Sequence, residues 1–231
     1  FAEFFHVNEA DANMAHIPDD ISDDAAVYCT DMMSTGFAGS ENANIPLGGT
    51  VAIFAQGPVG LMSTAAARML GAGLIISVET DPKRQKLSKF YGADVVVDFA
   101  KEDPVERILE ITDGEGVDSA VEALGFDVSF QQAVKVTRPG GTVSNIGYHG
   151  SGEFVHIPRE AWGVGMANIS IVTDLCPGGR VRMERMLRLL QTGRVDPTHL
   201  TTHTFSFDEV DKAYHLMKNK EDNVIKPLVV F

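Results

Sequence analysis

Between Thr50 and Thr173 the chain alternates short, continuous apolar runs with longer segments of helical character. The apolar runs are rich in Val and Ile, which is typical of strands buried on both faces of a parallel sheet. The six predicted strands cover residues 51–55, 74–78, 94–97, 117–121, 142–146 and 169–173. The helices predicted between them cover residues 58–71, 82–91, 103–112 and 127–137.

Proline and aspartate mark the starts of two of these helices. Pro82 and Pro104 lie in a first turn, where proline loses no intrahelical hydrogen bond, and Asp81 and Asp103 before them are predicted N-caps. Residues 138–141, Arg-Pro-Gly-Gly, predict a turn between the last of these helices and the fifth strand. The pattern as a whole predicts an α/β fold, a doubly wound Rossmann sheet of six parallel strands.

The two ends of the chain do not follow this rhythm. Residues 1–7 alternate as in a strand already under way, and residues 1–30 predict the tail of a β-rich domain. The chain opens on Phe1 rather than on methionine, so we expect the natural protein to begin further upstream. Amphipathic helices are predicted at 180–192 and 207–219, and a last strand at 225–231.

These patterns predict the domain organisation. We expect residues 35–175 to form a dinucleotide-binding domain, because strand and helix alternate only there. Residues 1–34 and 176–231 are expected to belong together in one other domain, into which the dinucleotide-binding domain is inserted.

The sharpest local signal is the segment 55–60, Ala-Gln-Gly-Pro-Val-Gly, between the first strand and the first helix. Glycine at position 57 lets a backbone approach a pyrophosphate, and glycine at position 60 lets the helix pack closely on the strand. The helix N-terminus adds N–H groups and the positive end of the helix dipole. Ala55 replaces the first glycine of the usual fingerprint, but the strand–turn–helix context favours a dinucleotide site over a plain tight turn.

Glu79 ends the second predicted strand, nineteen residues after Gly60. A carboxylate at this place can accept hydrogen bonds from the adenosine ribose and repel a 2′-phosphate, which predicts NAD rather than NADP. Two alternatives stay open from the residues alone. Glu79 could cap the following helix, and Lys83 or Arg84 could reach the 2′-phosphate of NADP.

Composition narrows the class of function. The net charge of −13 argues against nucleic acid and anionic membranes as partners, since phosphate binding is driven largely by positive charge. No apolar stretch is long enough for a transmembrane helix. The only two cysteines, Cys29 and Cys176, form no CxxC motif, so neither a disulfide scaffold nor a cysteine-built zinc site is expected. We expect a cytoplasmic protein.

Several longer motifs resemble the zinc-dependent medium-chain dehydrogenases, and among these the microbial secondary-alcohol dehydrogenases. The matching segments are 4–8, 31–37, 57–62, 90–93, 148–152, 162–167, 176–180 and 225–227. The resemblance implies a β-rich, GroES-like catalytic domain, a dinucleotide domain, and a C-terminal return to the catalytic domain. It covers the last two thirds of such a protein, and the first third is absent from this chain.

The resemblance also implies a catalytic zinc ion. In the family a cysteine and a histidine of the absent third and the aspartate of an Asp-Met-Met motif hold the metal, so Asp31 is the implied ligand here. From the residues alone, Asp31 would be an N-cap before Met32. Three protein ligands leave one zinc position open for an alcohol oxygen. Thr35, one helical turn later, is implied to face the nicotinamide.

The cofactor contacts implied by the resemblance fall into four groups: the pyrophosphate turn, the adenosine ribose, the backbone that holds the carboxamide, and a lysine from the C-terminal part. They are Gln56, Gly57, Pro58, Val59 and Gly60; Glu79, Thr80, Asp81 and Phe99; Ile146, Gly147 and Tyr148; and Lys220. Residues 146–148 also fit the plain end of a strand, and Lys220 also fits a surface lysine.

One departure from the family concerns the cofactor. The similar enzymes carry a small-small-arginine triplet that holds the 2′-phosphate of NADP, whereas this chain has Glu79-Thr80-Asp81. Two carboxylates disfavour a 2′-phosphate through like-charge repulsion, which again predicts NAD.

The expected function is therefore a zinc- and NAD-dependent dehydrogenase of small secondary alcohols and their ketones. The alternatives are a zinc-free quinone or enone reductase of the same superfamily and, for the chain by itself, a non-catalytic NAD-binding module. The loop around Met166 lies at a subunit contact in the similar tetramers, so we expect a homo-oligomer, a tetramer by resemblance. His199 and His203 have metal-ligand spacing, but a turn leading into a strand is predicted there, so we expect no metal.

Overall fold

The computed structural model describes residues 2–231. The helices are α1 Ala10–Asn13, α2 Asp23–Ala26, α3 Met32–Asn42, α4 Pro58–Met69, α5 Pro82–Tyr91, α6 Pro104–Ile111, α7 Asp127–Val136, α8 Arg180–Gln191 and α9 Val210–Asn219. The strands are β1 Thr50–Phe54, β2 Leu74–Val78, β3 Val95–Val97, β4 Val117–Glu122, β5 Thr137–Asn145, β6 Ser170–Thr173, β7 Thr201–Ser206 and β8 Lys226–Val230.

The chain forms two compact units. One is Thr35–Cys176, and the other combines the residues up to Ser34 with Pro177–Phe231. No helix described between residues 2 and 231 is long and apolar enough to cross a membrane.

Six parallel strands form a single sheet in the unit Thr35–Cys176, in the order β3-β2-β1-β4-β5-β6. This order confirms the predicted Rossmann-type α/β fold. The strand order reverses between β1 and β4, where Phe54 pairs with Glu122. Doubly wound sheets bind their ligands at the carboxyl ends of the strands on either side of this reversal.

The continuous apolar runs are explained by the burial of the sheet on both faces. In β1, Ala52 and Phe54 join a core with Ile76 and Val143. The alternate residues Val51 and Ile53 join a second core with Ile75 and Val121. Because each face of the strand meets a hydrophobic layer, every position of β1 after Thr50 is apolar and buried. Full burial of one such large side chain contributes about 1.5–3 kcal/mol.

Aspartate caps fix the starts of α5 and α6, as predicted. Asp81 accepts hydrogen bonds from the backbone N–H groups of Lys83 and Arg84, both at 2.9 Å. Asp103 does the same for the first turn of α6, at 2.8 and 3.0 Å. Each cap satisfies orphan donors of a helix start and contributes about 1 kcal/mol.

The turn predicted at residues 138–141 does not separate α7 from β5. Thr137 already pairs with Val117 of β4, and the next pair is Thr142 with Ser119, so β5 advances by five residues while β4 advances by two. The Arg-Pro-Gly-Gly segment therefore forms a bulge inside β5, with Gly140 at φ +78°. The prediction was wrong because Thr137 pairs with β4, so β5 begins before the Arg-Pro-Gly-Gly segment and includes it.

The second unit contains a parallel pair, β7 and β8, together with α8 and α9. The predicted last strand and both predicted amphipathic helices are confirmed. The strand predicted at the start is wrong as far as residues 2–7 are concerned, while Phe1 lies outside the described residues. A strand needs a neighbour for its backbone hydrogen bonds, and no strand of the described chain pairs with this segment. Its side chains Phe4 and Phe5 are 89% and 80% exposed.

The two cysteines differ in burial. Cys29 is 2% exposed, its Sγ lies 3.9 Å from Met33 Sδ, and burial raises the pKa of its thiol to about 12. Cys176 is only partly buried. Since the thiolate is the reactive form, burial makes Cys29 both less accessible and harder to ionise.

We expect a thiol reagent at pH 7.5 to modify Cys176 in the folded protein and Cys29 only after unfolding. Peptide mass spectrometry of native and denatured samples measures this, and Cys176→Ser should leave the native protein unlabelled. Modification of Cys29 at the rate of Cys176 would contradict the burial of this side chain.

Candidate functional site

The turn between β1 and α4 is open beside Gly57. Apart from its chain neighbours, no described atom lies within 4 Å of the place where a Cβ of Gly57 would stand. Gly57 is the N-cap of α4 and has no side chain to cap the helix, and Pro58 occupies the first turn. A ligand can therefore approach the start of α4 beside Gly57, and free N–H groups with a positive helix end are the features that bind phosphate groups.

Two glycines hold α4 in this place. A Cβ on Gly60 would stand 1.9 Å from the carbonyl oxygen of Ala55, so helix and strand end touch backbone to backbone. A Cβ on Gly36 of α3 would stand 2.5 Å from the carbonyl oxygen of Val59 and 2.6 Å from the Cβ of Met62. Both positions exclude any side chain, so these close approaches set the position of the phosphate turn.

Ala55 and Gln56 have roles that their sequence position does not reveal. Ala55 adopts φ +69°, the left-handed region, which costs a residue with a side chain about 1 kcal/mol. The Gln56 side chain is fully buried, and its Oε1 accepts a hydrogen bond from Thr64 Oγ1 at 2.9 Å. The side chain of Gln56 is therefore not available to a bound pyrophosphate.

Glu79 ties the end of β2 to the phosphate turn. The side chain is buried, and Oε2 accepts a hydrogen bond from the Gln56 N–H at 3.1 Å. Oε1 accepts from the N–H groups of Thr80 and Asp81 at 2.8 and 3.0 Å. The alternative that Glu79 caps α5 is wrong, because Asp81 does this. The carboxylate lies at the carboxyl end of β2 beside the turn, where an adenosine ribose is bound in dinucleotide folds.

A third acid, Asp98, lies next to the Glu79-Thr80-Asp81 segment. Thr80 Oγ1 donates a hydrogen bond to Asp98 Oδ1 at 2.7 Å, and Lys101 Nζ lies 2.8 Å from Oδ2. The hydrogen bonds from Lys101 and then Thr80 hold the pKa of the Asp98 carboxyl well below its usual range. Phe99, the next residue, is 53% exposed. Sequence reasoning selected Phe99 and missed Asp98, because only the parallel pairing of β2 with β3 brings Asp98 to Thr80.

On the other side of β1, the predicted segment 146–148 follows β5 and is held by Glu122. The carbonyl oxygen of Glu122 accepts hydrogen bonds from the N–H groups of Ile146 and Gly147 at 2.9 and 3.0 Å. The Tyr148 side chain is 86% exposed. Glu122 itself was missed because the fourth strand was predicted to end at Val121. An acid directly after a buried parallel strand was the available signal.

The remaining predicted residues are distributed between the two units. Thr35 lies in α3 and is buried, whereas Asp31 is exposed and precedes this helix. Lys220 is exposed and follows α9 at φ +53°. Residues 2–231 contain no group of three His, Cys, Asp or Glu side chains that could hold a metal ion. The residues of this chain therefore do not by themselves fit a zinc ion, and Asp31 would need ligands from elsewhere.

The chain matches known proteins over nearly its whole length. The model of the family described as zinc-binding dehydrogenase matches residues 58–192, more than half of the chain. The NADP-dependent isopropanol dehydrogenase of Thermoanaerobacter brockii is 50% identical over 232 residues, which is 100% of this chain and 66% of that protein. The enzyme of the same name from Entamoeba histolytica is 48% identical over 99% of this chain and 63% of its own length.

Solved structures give the same result. Zinc dependent alcohol dehydrogenase 2 from Streptococcus pneumonia, in its apo form, superposes with a TM-score of 0.87 at 29% identity. The alignment covers 98% of this chain and 64% of that one. The chain thus spans less than two thirds of the length of each of these three proteins.

The two glycines of the phosphate turn should respond differently to alanine. Gly60→Ala forces a Cβ into the Ala55 carbonyl, so we expect a loss of about 1–3 kcal/mol of stability, seen as a lower Tm. Gly57 has φ −68°, which any residue adopts, so Gly57→Ala should change stability by less than about 0.5 kcal/mol. This variant should nevertheless bind NAD at least about tenfold more weakly, because its methyl group occupies the open space.

Thermal unfolding and calorimetric titration of both variants measure these effects. Unchanged NAD affinity in a folded Gly57→Ala protein would show that no pyrophosphate lies against this turn.

Proposed function

Because the chain belongs to the zinc-binding dehydrogenase family, we propose that it binds a nicotinamide dinucleotide across the carboxyl ends of β1 and β4. The proposed reaction is hydride transfer between this cofactor and small secondary alcohols or their ketones. The observation that carries the proposal is the open, uncapped start of α4 at Gly57, placed where the strand order reverses. The names of the two isopropanol dehydrogenases support the substrate class.

We further propose that the cofactor is NAD, although both of these relatives are named NADP-dependent. The proposal rests on three carboxylates around Thr80, namely Glu79, Asp81 and Asp98. Like charges a few ångströms apart repel each other, so each of these carboxylates disfavours a 2′-phosphate beside it. Arg84, whose Nη1 lies 3.9 Å from Glu79 Oε2, offsets part of this repulsion. Lys101, which pairs with Asp98, offsets a further part. Three carboxylates against these two cations still leave an excess of negative charge where a 2′-phosphate would lie.

We propose Asp31 as one ligand of a catalytic zinc ion, on the strength of its Asp-Met-Met motif. The described residues supply no complete ligand set, so the other ligands would come from outside them. Thr35 and Lys220 remain proposed contacts of the nicotinamide and of the cofactor, respectively.

A homo-oligomer, a tetramer by resemblance, is proposed for the assembled enzyme. The support is a set of exposed apolar side chains late in the unit Thr35–Cys176: Val164 is 55% exposed, Met166 80% and Leu175 85%. Val164 and Met166 lie two positions apart in the chain, and large apolar side chains left exposed near one another favour an interface.

Calorimetric titration with NAD and NADP tests the cofactor proposal. We expect NAD to bind the parent protein at least about tenfold more tightly than NADP. Glu79→Gly should weaken the binding of NAD and bring the affinities for NAD and NADP closer together, because the ribose acceptor and one negative charge are lost. Glu106→Gln, an exposed acid in the first turn of α6, is the control that changes charge alone. Tighter binding of NADP by the parent would contradict the argument from Glu79.

The reaction is tested with the whole protein that contains this chain. NAD-dependent oxidation of 2-propanol, followed by NADH absorbance, should accompany bound zinc in metal analysis. Asp31→Asn should lower both zinc content and activity by about 100-fold or more, since even outer-shell changes at metal sites cost 10–100-fold. Asp24→Asn, an exposed acid of the same unit, should change neither. Full activity without bound metal would instead support a zinc-free reductase.

A further inference from the structure

Glu122 is a fully buried carboxylate at the carboxyl end of β4, beside the reversal of the strand order. Its side chain has 0% exposure, so it cannot itself contact a ligand that lies in the crevice. Burying an ionised carboxylate is costly unless hydrogen-bond donors surround it. An apolar residue would be buried here at no such cost, so the carboxylate of Glu122 is expected to have a specific role.

Donors from the segment after β4 surround the carboxylate. Oε1 accepts hydrogen bonds from the N–H groups of Leu124 and Gly125, both at 2.9 Å, and from Ser129 Oγ at 2.7 Å. Oε2 accepts a further bond from the Gly125 N–H at 3.0 Å, and His149 Nε2 lies 3.8 Å away. One side chain thus fixes the turn 123–125 and the first turn of α7.

The segment after β5 rests on the same residue. A Cβ on Gly147 would stand 2.2 Å from Glu122 Oε2 and 2.2 Å from the Gly125 nitrogen. Gly125 has φ +87°, and a Cβ there would stand 2.3 Å from the Tyr148 carbonyl oxygen. The segments 123–125 and 146–148 therefore touch backbone to backbone, with the carboxylate beneath them.

Glu79 lies on the β2 side of β1, whereas these two segments lie on the other side, at the ends of β4 and β5. In a doubly wound fold the pyrophosphate lies at the first helix and the adenosine ribose at the end of β2, so the other half of a dinucleotide extends over β4 and β5. The turn after β4 adjoins the phosphate turn, since a Cβ on Gly60 would lie 3.7 Å from the Cβ of Ala123. The backbone of both segments is thus placed along the nicotinamide half.

We propose that Glu122 is a positioning residue for the nicotinamide half of the cofactor. Its carboxylate sets the backbone of 123–125 by direct hydrogen bonds and that of 146–148 through the contact with Gly147. The inference rests on the proposed dinucleotide binding. It differs from a purely structural role, because loss of the carboxylate should act on one half of the ligand and spare the other.

Glu122→Gln is the sharpest variant, since it keeps the shape and removes the charge. An amide NH₂ at either oxygen position would face an N–H donor, so at least one hydrogen bond is lost and the turn after β4 must shift. Asp118→Asn is the matched control. Asp118 lies at the other end of β4, where it accepts hydrogen bonds from the Thr50 N–H at 2.8 Å and Arg138 Nε at 2.7 Å.

The experiment compares NAD with ADP, which lacks the nicotinamide half, by calorimetric titration of parent and variants. We expect Glu122→Gln to weaken the binding of NAD about tenfold or more, while the affinity for ADP changes less than about twofold. The fluorescence emission of bound NADH should shift toward that of NADH in water. Asp118→Asn should leave the NAD to ADP ratio and the emission unchanged.

Ser129→Ala, which removes a single bond to Oε1, covers the case in which Glu122→Gln does not fold. It should weaken NAD by about threefold with ADP unchanged. Equal weakening of NAD and ADP binding, the same change in the ratio of their affinities in Asp118→Asn, or a lower Tm with unchanged affinities would overturn the positioning role.

Failure of the parent to bind NAD would overturn the proposed function and this inference with it. Normal binding by the parent with an unchanged ratio in both Glu122→Gln and Ser129→Ala would overturn the inference alone.

Discussion

The close approach of α4 to the end of β1 is the constraint on which the rest of the site depends. Because Gly60 leaves only backbone between the helix and the Ala55 carbonyl, the start of α4 is brought to the edge of the sheet where the strand order reverses. The space beside Gly57 at this helix start is open, so a ligand can approach the first turn there. A larger residue at position 60 would push the helix outward and move the phosphate turn away from the strand ends.

Two buried carboxylates complete the crevice on either side of β1. Glu79 at the end of β2 accepts the Gln56 N–H of the phosphate turn, and Glu122 at the end of β4 accepts the N–H groups of the following turn. Each acid is held by backbone donors rather than by a basic side chain alone, which compensates for the loss of water around a charge. The irregular backbone at the strand ends is therefore defined on both sides, as a site built from main-chain groups requires.

The sequence was sufficient to predict elements whose cause is local. Apolar residues at every position of β1 after Thr50 reveal a two-sided core, and Asp-Pro pairs reveal the starts of α5 and α6. Features that depend on a distant partner were missed or wrong. The bulge at 138–141 exists because Thr137 pairs with Val117, and Asp98 matters because β3 lies beside β2. Neither pairing leaves a signal in the neighbouring residues.

The phosphate turn also shows why a glycine pattern alone does not reveal what each glycine does. The first glycine position of the fingerprint, residue 55, needs a left-handed backbone, which Ala55 adopts at φ +69° at some cost. The second, residue 57, leaves open space for a ligand, since no atom outside its chain neighbours lies near its Cβ position. The third, residue 60, must lack a side chain so that the helix can pack against the Ala55 carbonyl. The first position can accept alanine because its requirement is conformational, whereas the third cannot because its requirement is steric. A departure from the fingerprint at position 55 is therefore compatible with an intact dinucleotide site.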